Sequence, residues 1–163
     1  SAAEQAQENI RNSLRFAGQI TVHCADFTQW GKESPRKYDL IVSNPPFFKN
    51  SLKSPSIERT AARHGDNLDS GTLIGLGASL LADEGTIALI YPAEFLDDIL
   101  DAGSQSGLSP SRICKVFPKP GSAPKRVLIE FSFAEKTCEE SELAIEKERH
   151  VYTDEFKELT RYF

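Results

Sequence analysis

Four consecutive residues, Asn44-Pro45-Pro46-Phe47, carry the chemistry that is most readily assigned to this chain. The side-chain oxygen of Asn44 and the backbone carbonyl of Pro45 are acceptors that can take the two N–H hydrogens of a planar exocyclic amine. The nitrogen then becomes pyramidal and directs its lone pair at an electrophile. Pro46 stiffens the loop, and Phe47 offers a flat face for stacking a base. We therefore predict that Asn44, Pro45, Pro46 and Phe47 form a catalytic loop.

The element that positions this loop is the apolar run at 38–43, which ends at the two prolines. Its β-branched content predicts a buried parallel strand, which stops where neither proline has an N–H to donate. The loop then lies at the carboxyl end of a strand, where open α/β sheets bind ligands. An ordinary tight turn after a strand remains an alternative, because Asn and Pro are common turn residues.

Length and composition indicate a single α/β domain over residues 1–163, with 39% hydrophobic residues. No apolar run approaches the roughly 20 residues that span a bilayer, and the N-terminus is a polar helix rather than a signal peptide. We therefore expect a cytoplasmic protein. The three cysteines are far apart and lack the spacing of metal ligands, so no metal site is expected.

Charge is unevenly distributed in a chain whose net charge is -5. A basic stretch follows the Asn-Pro-Pro-Phe loop directly, whereas the acidic residues crowd the segment 135–148. Local charge decides which surface attracts an anionic partner, so the basic stretch favours a nucleic acid. The acidic segment is interpreted as a solvated loop or helix face.

Hydrophobic periodicity predicts alternating helices and strands. Helices are expected at 1–17, with a capping box of Ser1 and Glu4, from Asp69 or Ser70 to 83–85, at 92–103, and at 153–163, capped by Thr153. Strands are expected at 20–24, 38–43, 86–91, 112–117 and 126–133, of which the last two form a long hairpin.

This order of elements, with Asp26-Phe27 after one strand and Asn-Pro-Pro-Phe after the next, resembles the class I S-adenosylmethionine-dependent methyltransferases that methylate amino groups. The resemblance covers about residues 1–133. More selective matches resemble the bacterial enzymes that methylate N6 of the adenosine next to the anticodon in a valine tRNA. These are Thr60-Ala61-Ala62-Arg63-His64, Lys119-Pro120-Gly121, Pro124-Lys125-Arg126-Val127 and the closing stretch 152–160.

The resemblance implies a Rossmann-like fold, with a mostly parallel sheet and a C-terminal antiparallel hairpin, and a role for each matched residue. Asn44 and Pro45 would hold the adenine N6, and Phe47 would stack on the flipped base. Asp26, Phe27 and Asn44 would bind S-adenosylmethionine, with Asp26 accepting a hydrogen bond from its adenine amine. The implied tRNA phosphate contacts are Lys49, Lys53, Arg59, Arg63, His64, Lys125 and Arg126.

The sequence departs from that family in one respect. The family begins with a strand, a Gly-rich turn and a second strand, whereas the only Gly-x-Gly here, at Gly75 and Gly77, falls inside a predicted helix. We therefore expect a fold that lacks the first two strands, with a gap in its sheet and weak cofactor binding. A partner chain, strand exchange between protomers or a shifted strand pairing would fill such a gap.

Two other interpretations of the loop remain open. Enzymes that methylate guanine N2 in ribosomal RNA or a glutamine side-chain amide in release factors resemble it equally, because each of them binds a planar NH2 group. A non-catalytic RNA-binding module with a degenerate methyltransferase fold is the alternative from another class.

Overall fold

The computed structural model describes residues 1–13, 15, 16, 18–45 and 69–162, and these form two compact units, Ser1–Glu33 and Ser34–Phe163. The single domain expected from composition stays a prediction. None of the helices in the described ranges is long and apolar enough to cross a membrane.

Two helices lie in the described part of the first unit, α1 (Ala2–Asn12) and α2 (Phe27–Glu33). The capping box is confirmed, because the Ser1 hydroxyl accepts from the Glu4 backbone N–H and the Glu4 carboxylate accepts from the Ser1 amine. The helix ends at Asn12, so the expected range of 1–17 is too long. The strand expected at 20–24 is wrong, because a strand needs a neighbour for its ladder and no described strand pairs with these residues.

The described residues of the second unit form one five-stranded sheet, three α-helices and a small two-stranded sheet. In chain order its elements are β1 (Tyr38–Ser43), α3 (Ser70–Leu80), β2 (Leu81–Pro92), a 3-10 turn (Ala93–Phe95), α4 (Leu96–Gln105), β3 (Ser109–Phe117), β4 (Arg126–Ser132), β5 (Glu139–Ala144), β6 (Glu146–Glu148), β7 (Val151–Tyr152) and α5 (Asp154–Thr160).

The order of the five-stranded sheet is β1-β2-β4-β3-β5. Strands β1 and β2 are parallel, β4 is antiparallel to both β2 and β3, and β5 is parallel to β3. Four of these five strands therefore run in one direction. The mostly parallel sheet and the antiparallel hairpin of β3 and β4 are confirmed.

Strand β1 is the edge of the described sheet, because β2 is its only hydrogen-bonded neighbour there. Leu40 and Val42 on this strand are 58% and 69% exposed. This is the edge at which a partner chain or an exchanged strand would pair, and that proposal stays a prediction.

Strand β5 corrects the interpretation of the acidic segment as a solvated loop or helix face. It pairs with β3, whose cations contact its acids: Arg112 lies 3.9 Å from Glu139 directly opposite, and Lys115 lies 3.6 Å from Glu140 on the diagonal. Cross-strand pairs of opposite charge stabilise a sheet, so a segment too acidic to predict as a strand forms one.

Helices α3 and α4 pack on one face of the sheet through glycines. A Cβ added to Gly77 of α3 would lie 2.9 Å from Cδ1 of Ile87, and one added to Gly103 of α4 would lie 2.5 Å from Cε1 of Phe131. Both of these sheet residues are buried, Phe131 completely. The core of this unit therefore lies between the two helices and the central strands.

We predict that Gly103→Ala lowers the free energy of unfolding by about 1–3 kcal/mol, because the new methyl group overpacks the fully buried Phe131 ring. Urea unfolding followed by circular dichroism measures this change. Gly75→Ala in α3 is the matched control, because its nearest neighbour would be the Ser106 hydroxyl at 4.0 Å. That variant gains about 0.5–1 kcal/mol from helix propensity, and equal effects of the two substitutions would contradict the packing argument.

Candidate functional site

Asn44 and Pro45 directly follow β1 at the carboxyl end of the strand, as the sequence predicts. The last residue of the strand, Ser43, pairs with Leu89 of β2. Pro45 is buried and Asn44 is exposed. A buried proline fixes the backbone beside it, so the amide of Asn44 is presented to solvent from an anchored position. Pro46 and Phe47 lie outside the described residues.

The beginning of β4 lies at the same edge of the sheet. Because β4 is antiparallel to β2, its first residue, Arg126, pairs with Pro92, the last residue of β2. The preceding residue, Lys125, is held on both sides: its N–H donates to the Val116 carbonyl at 2.9 Å, and its carbonyl accepts from the Ala93 N–H at 3.3 Å. Lys125 and Arg126 are both exposed. The structure therefore brings these two predicted cations to the edge that bears Asn44.

A third cation at this edge, Lys119, belongs to one of the stretches that resemble the family but is not among the predicted phosphate contacts. It is exposed in the loop between β3 and β4, where its carbonyl accepts from the Ser122 hydroxyl at 2.6 Å and Gly121 has a φ of 74°. The sequence signal was present, because Pro118, Pro120 and Pro124 limit the freedom of this loop. A stiff loop with three cations and no acid at 118–126 thus adjoins the end of β2.

In the first unit, Asp26 lies immediately before α2, and Phe27 is the first residue of that helix. Oδ1 of Asp26 accepts from the Thr28 hydroxyl at 2.5 Å, from the Thr28 N–H at 2.7 Å and from the Gln29 N–H at 3.3 Å. These hydrogen bonds hold the pKa of Asp26 below its ordinary value, and the bond from the Thr28 hydroxyl contributes most to this shift. Asp26 is therefore an exposed, ionised carboxylate, and Phe27 beside it is half-buried.

Tyr91 and Ser70 form a further contact, which sequence reasoning does not predict. The Tyr91 hydroxyl lies 2.6 Å from the Ser70 hydroxyl, across 21 positions of the chain. Tyr91 is in β2, next to Pro92, and Ser70 begins α3. This contact joins the start of α3 to the carboxyl end of β2.

The remaining predicted phosphate contacts lie outside the described ranges, and they stay predictions: Lys49, Lys53, Arg59, Arg63 and His64. Among the residues that are described, no group of three His, Cys, Asp or Glu side chains is placed to hold a metal ion. Gly75 and Gly77 lie inside α3, as expected, so they form no cofactor-binding turn.

Comparison with solved structures identifies the fold. The fold is that of a methyltransferase: 98% of the chain superimposes on 72% of a predicted O-methyltransferase from Agrobacterium tumefaciens, with a TM-score of 0.70 and 18% sequence identity. No protein-family model matches the chain. Sequence comparison then defines the family.

A tRNA1(Val) (adenine(37)-N6)-methyltransferase of Bacteroides fragilis is 44% identical over all of this chain and 69% of its own length. Its counterpart in Bacteroides thetaiotaomicron is 42% identical over all of this chain and 68% of its own length. The chain belongs to the tRNA1(Val) (adenine(37)-N6)-methyltransferase family, and it spans about two thirds of the length of these relatives.

We predict that Thr28→Val raises the pKa of Asp26 toward its ordinary value, because the Thr28 hydroxyl is the strongest of the groups that stabilise the carboxylate. An NMR titration of the side-chain carboxyl carbons measures this change. Thr72→Val is the matched control, because the Thr72 hydroxyl donates to Asp69 at 2.7 Å in the same way. That control should shift the pKa of Asp69 and leave Asp26 unchanged. An unshifted Asp26 in Thr28→Val would contradict the assignment.

Proposed function

We propose that this protein transfers a methyl group from S-adenosylmethionine to N6 of an adenosine in valine tRNA, with Asn44 at the reacting nitrogen. The observation that carries this proposal is the position of Asn44 and Pro45 at the carboxyl end of β1, in a chain 44% identical to a methyltransferase named for this reaction. Family membership favours adenosine over guanine N2 and glutamine as the acceptor. It also favours an enzyme over a non-catalytic RNA-binding module.

Asn44 and Pro45 act on the target amine. The lone pair of an adenine N6 is delocalised into the ring and is a poor nucleophile. Acceptance of its two N–H hydrogens by the Asn44 side chain and the Pro45 carbonyl favours a pyramidal nitrogen with a localised lone pair. The nitrogen becomes acidic only after it gains the methyl group, so no strong base is required in this loop. The exposure of Asn44 allows a base extruded from its stack to reach the amide.

S-adenosylmethionine supplies an electrophilic methyl group when it is bound. The Asp26 carboxylate fits the adenine end of this cofactor, because it is ionised and its described hydrogen bonds all fall on Oδ1. Oδ2 of Asp26 is then the acceptor for the adenine amine, and Phe27 supplies an apolar face for the ring. Neither contact involves the reacting groups, so Asp26 and Phe27 bind and orient the cofactor.

Lys125 and Arg126 contact tRNA phosphates in this proposal, and Lys119 joins them. The position of these residues supports the proposed contacts, because Arg126 pairs with Pro92 at the edge of the sheet that bears Asn44. Backbone hydrogen bonds of Lys125 to Val116 and Ala93 fix the origin of its side chain. A fixed array of cations beside the reacting amide sets the register of the RNA without reading its sequence.

We predict that Asn44→Ala lowers kcat for methylation of a valine tRNA transcript by at least about 100-fold, because one of the two acceptors for the amine is lost. Transfer of radiolabelled methyl groups by the protein expressed from its complete reading frame measures this change. The affinity for S-adenosylmethionine, measured by calorimetry, should stay within a few-fold.

Asn9→Ala is the matched control for that experiment, because Asn9 is exposed on α1. This variant should retain the activity of the unmodified protein. Turnover by Asn44→Ala at the rate of this control would refute the role of Asn44.

The salt dependence of tRNA binding is the slope of log K against the logarithm of the salt concentration. We predict that Lys125→Ala makes this slope less steep by about 1, because one phosphate contact is lost. Fluorescence anisotropy over a range of potassium chloride concentrations measures the slope. Lys136→Ala is the control of equal charge. Lys136 is exposed between the end of β4 and the start of β5, at the opposite edge of the sheet. Equal slopes for the two variants would refute the proposed contact.

A further inference from the structure

The loop that joins β3 to β4 is longer than reversal of the chain requires. Most hairpin loops have about two to five residues, whereas all of 118–125 lies between these two strands. The middle of the loop is a turn of its own, in which the Ser122 N–H donates to the Lys119 carbonyl at 3.2 Å. Pro120 takes the second position of this turn, and Gly121 takes the third with a φ of 74°. These features define a type II turn that begins at Lys119.

The Ser122 side chain closes the same turn a second time. Its hydroxyl donates to the Lys119 carbonyl at 2.6 Å and accepts from the Lys119 N–H at 3.4 Å. The backbone of Lys119 is thus held at both of its polar groups, while its side chain is exposed. A side chain on a fixed backbone samples fewer positions than one on a mobile loop. The turn therefore limits where the Lys119 ammonium can lie.

The turn is also attached to the sheet at the residues that precede it. The Phe117 carbonyl accepts from the Ile145 N–H at 2.9 Å, and the Pro118 carbonyl accepts from the Glu146 N–H at 3.0 Å. Both donors directly follow the last residue of β5. The carboxyl end of β5 therefore holds the chain immediately before Lys119, so this cation keeps a fixed place relative to the strands.

We propose that Gly121 and Ser122 are positioning residues for tRNA binding, which hold the backbone of Lys119 so that its side chain meets a phosphate. This inference rests on the proposed function, which supplies the RNA partner. Neither positioning residue is charged, so neither attracts the RNA itself. A backbone that is fixed before the RNA arrives removes an ordering cost from binding. For one residue this cost corresponds to roughly a tenfold change in affinity.

A matched pair of glycine substitutions tests the turn in the protein expressed from its complete reading frame. Gly121→Ala places a Cβ on a left-handed backbone, which is costly for an L-residue, so the turn opens. Gly107→Ala is the control: its φ is 73°, and among the described residues an added Cβ would meet no atom within 4 Å at either position. Gly107 precedes β3, so it lies at the opposite edge of the sheet. The affinity for an unmodified valine tRNA transcript, measured by fluorescence anisotropy, should fall about 3- to 10-fold in Gly121→Ala only.

Asparagine at the same position tests whether the backbone conformation is responsible. Asn adopts left-handed φ values more readily than Ala does, because its side chain can hydrogen-bond locally. Gly121→Asn should therefore bind the tRNA transcript more tightly than Gly121→Ala. Both variants should keep the salt dependence of the unmodified protein, because no phosphate contact is removed.

A double-mutant cycle of Ser122→Ala and Lys119→Ala tests whether Ser122 acts through Lys119. Ser122→Ala alone should weaken binding about 3-fold, the loss expected from weakened hydrogen bonding of the turn. The same substitution should have no further effect once Lys119 is alanine, because the side chain that it positions is then absent. Lys119→Ala should also make the salt dependence less steep by about 1, whereas Ser122→Ala should leave the slope unchanged.

Four outcomes would overturn the positioning role: unchanged affinity in Gly121→Ala, an equal loss in Gly107→Ala, additive losses in the cycle, or losses that match the fraction unfolded in a thermal melt. Any of these in a protein that still methylates the transcript leaves the proposed reaction standing. Because binding is measured without methyl transfer, a protein that shows the expected binding effects but does not methylate tRNA refutes only the reaction. An unmodified protein that binds no tRNA overturns both proposals.

Discussion

Strand β2 is the element on which the rest of the second unit depends, because it is hydrogen-bonded to strands of opposite direction on its two sides. Its parallel ladder with β1 determines where along β2 strand β1 ends, and therefore where Asn44 lies. Its antiparallel ladder with β4 sets where Arg126 lies, opposite Pro92. A one-residue shift in either register would turn the buried residues of the shifted strand toward the other face. The burial of Ile87, Leu89 and Tyr91 therefore also fixes the edge of the site.

The helices on this sheet lie close to it because two glycines permit the approach. Gly77 faces Ile87 and Gly103 faces Phe131, each at a distance that excludes a methyl group. This close packing fixes the first residues of α3, and through them Ser70 meets Tyr91. Glycine spacing that resembles part of a phosphate-binding turn thus serves packing in this protein. The sequence context of Gly75 and Gly77 predicted that outcome, since no strand precedes them.

Features that depend on nearby residues could be predicted from the sequence. The helix caps at Ser1, Asp69 and Thr153 are confirmed, because a capping hydroxyl or carboxylate bonds to a backbone N–H two or three residues away. The end of β1 before Asn44 follows from the two prolines for the same reason. The loop at the candidate site could therefore be predicted from a few neighbouring residues. The role of Asn44 in it stays a proposal.

Features that depend on distant partners could not be predicted in the same way. The run at 20–24 has the β-branched residues of a strand, but composition does not supply a neighbouring ladder. Strand β5 shows the reverse, because Glu139 and Glu140 become suitable strand residues only beside Arg112 and Lys115. The bond between Tyr91 and Ser70 joins positions 21 residues apart, and each residue alone is ordinary in its element.

The same pairing of charges explains how a chain with a net charge of -5 can present a surface for an anion. Acids of β4 and β5 lie beside cations of β3, where Arg112 is 3.1 Å from Glu130 and Lys115 is 3.6 Å from Glu140. Opposite charges this close largely offset each other at a distance, and salt screens what remains beyond a Debye length of about 8 Å. The loop at 118–126 carries three cations and no acid, so its own sequence contributes only positive charge at this edge of the sheet. An approaching phosphate responds to that local field rather than to the net charge. The acidic strand is therefore compatible with RNA binding at the neighbouring edge.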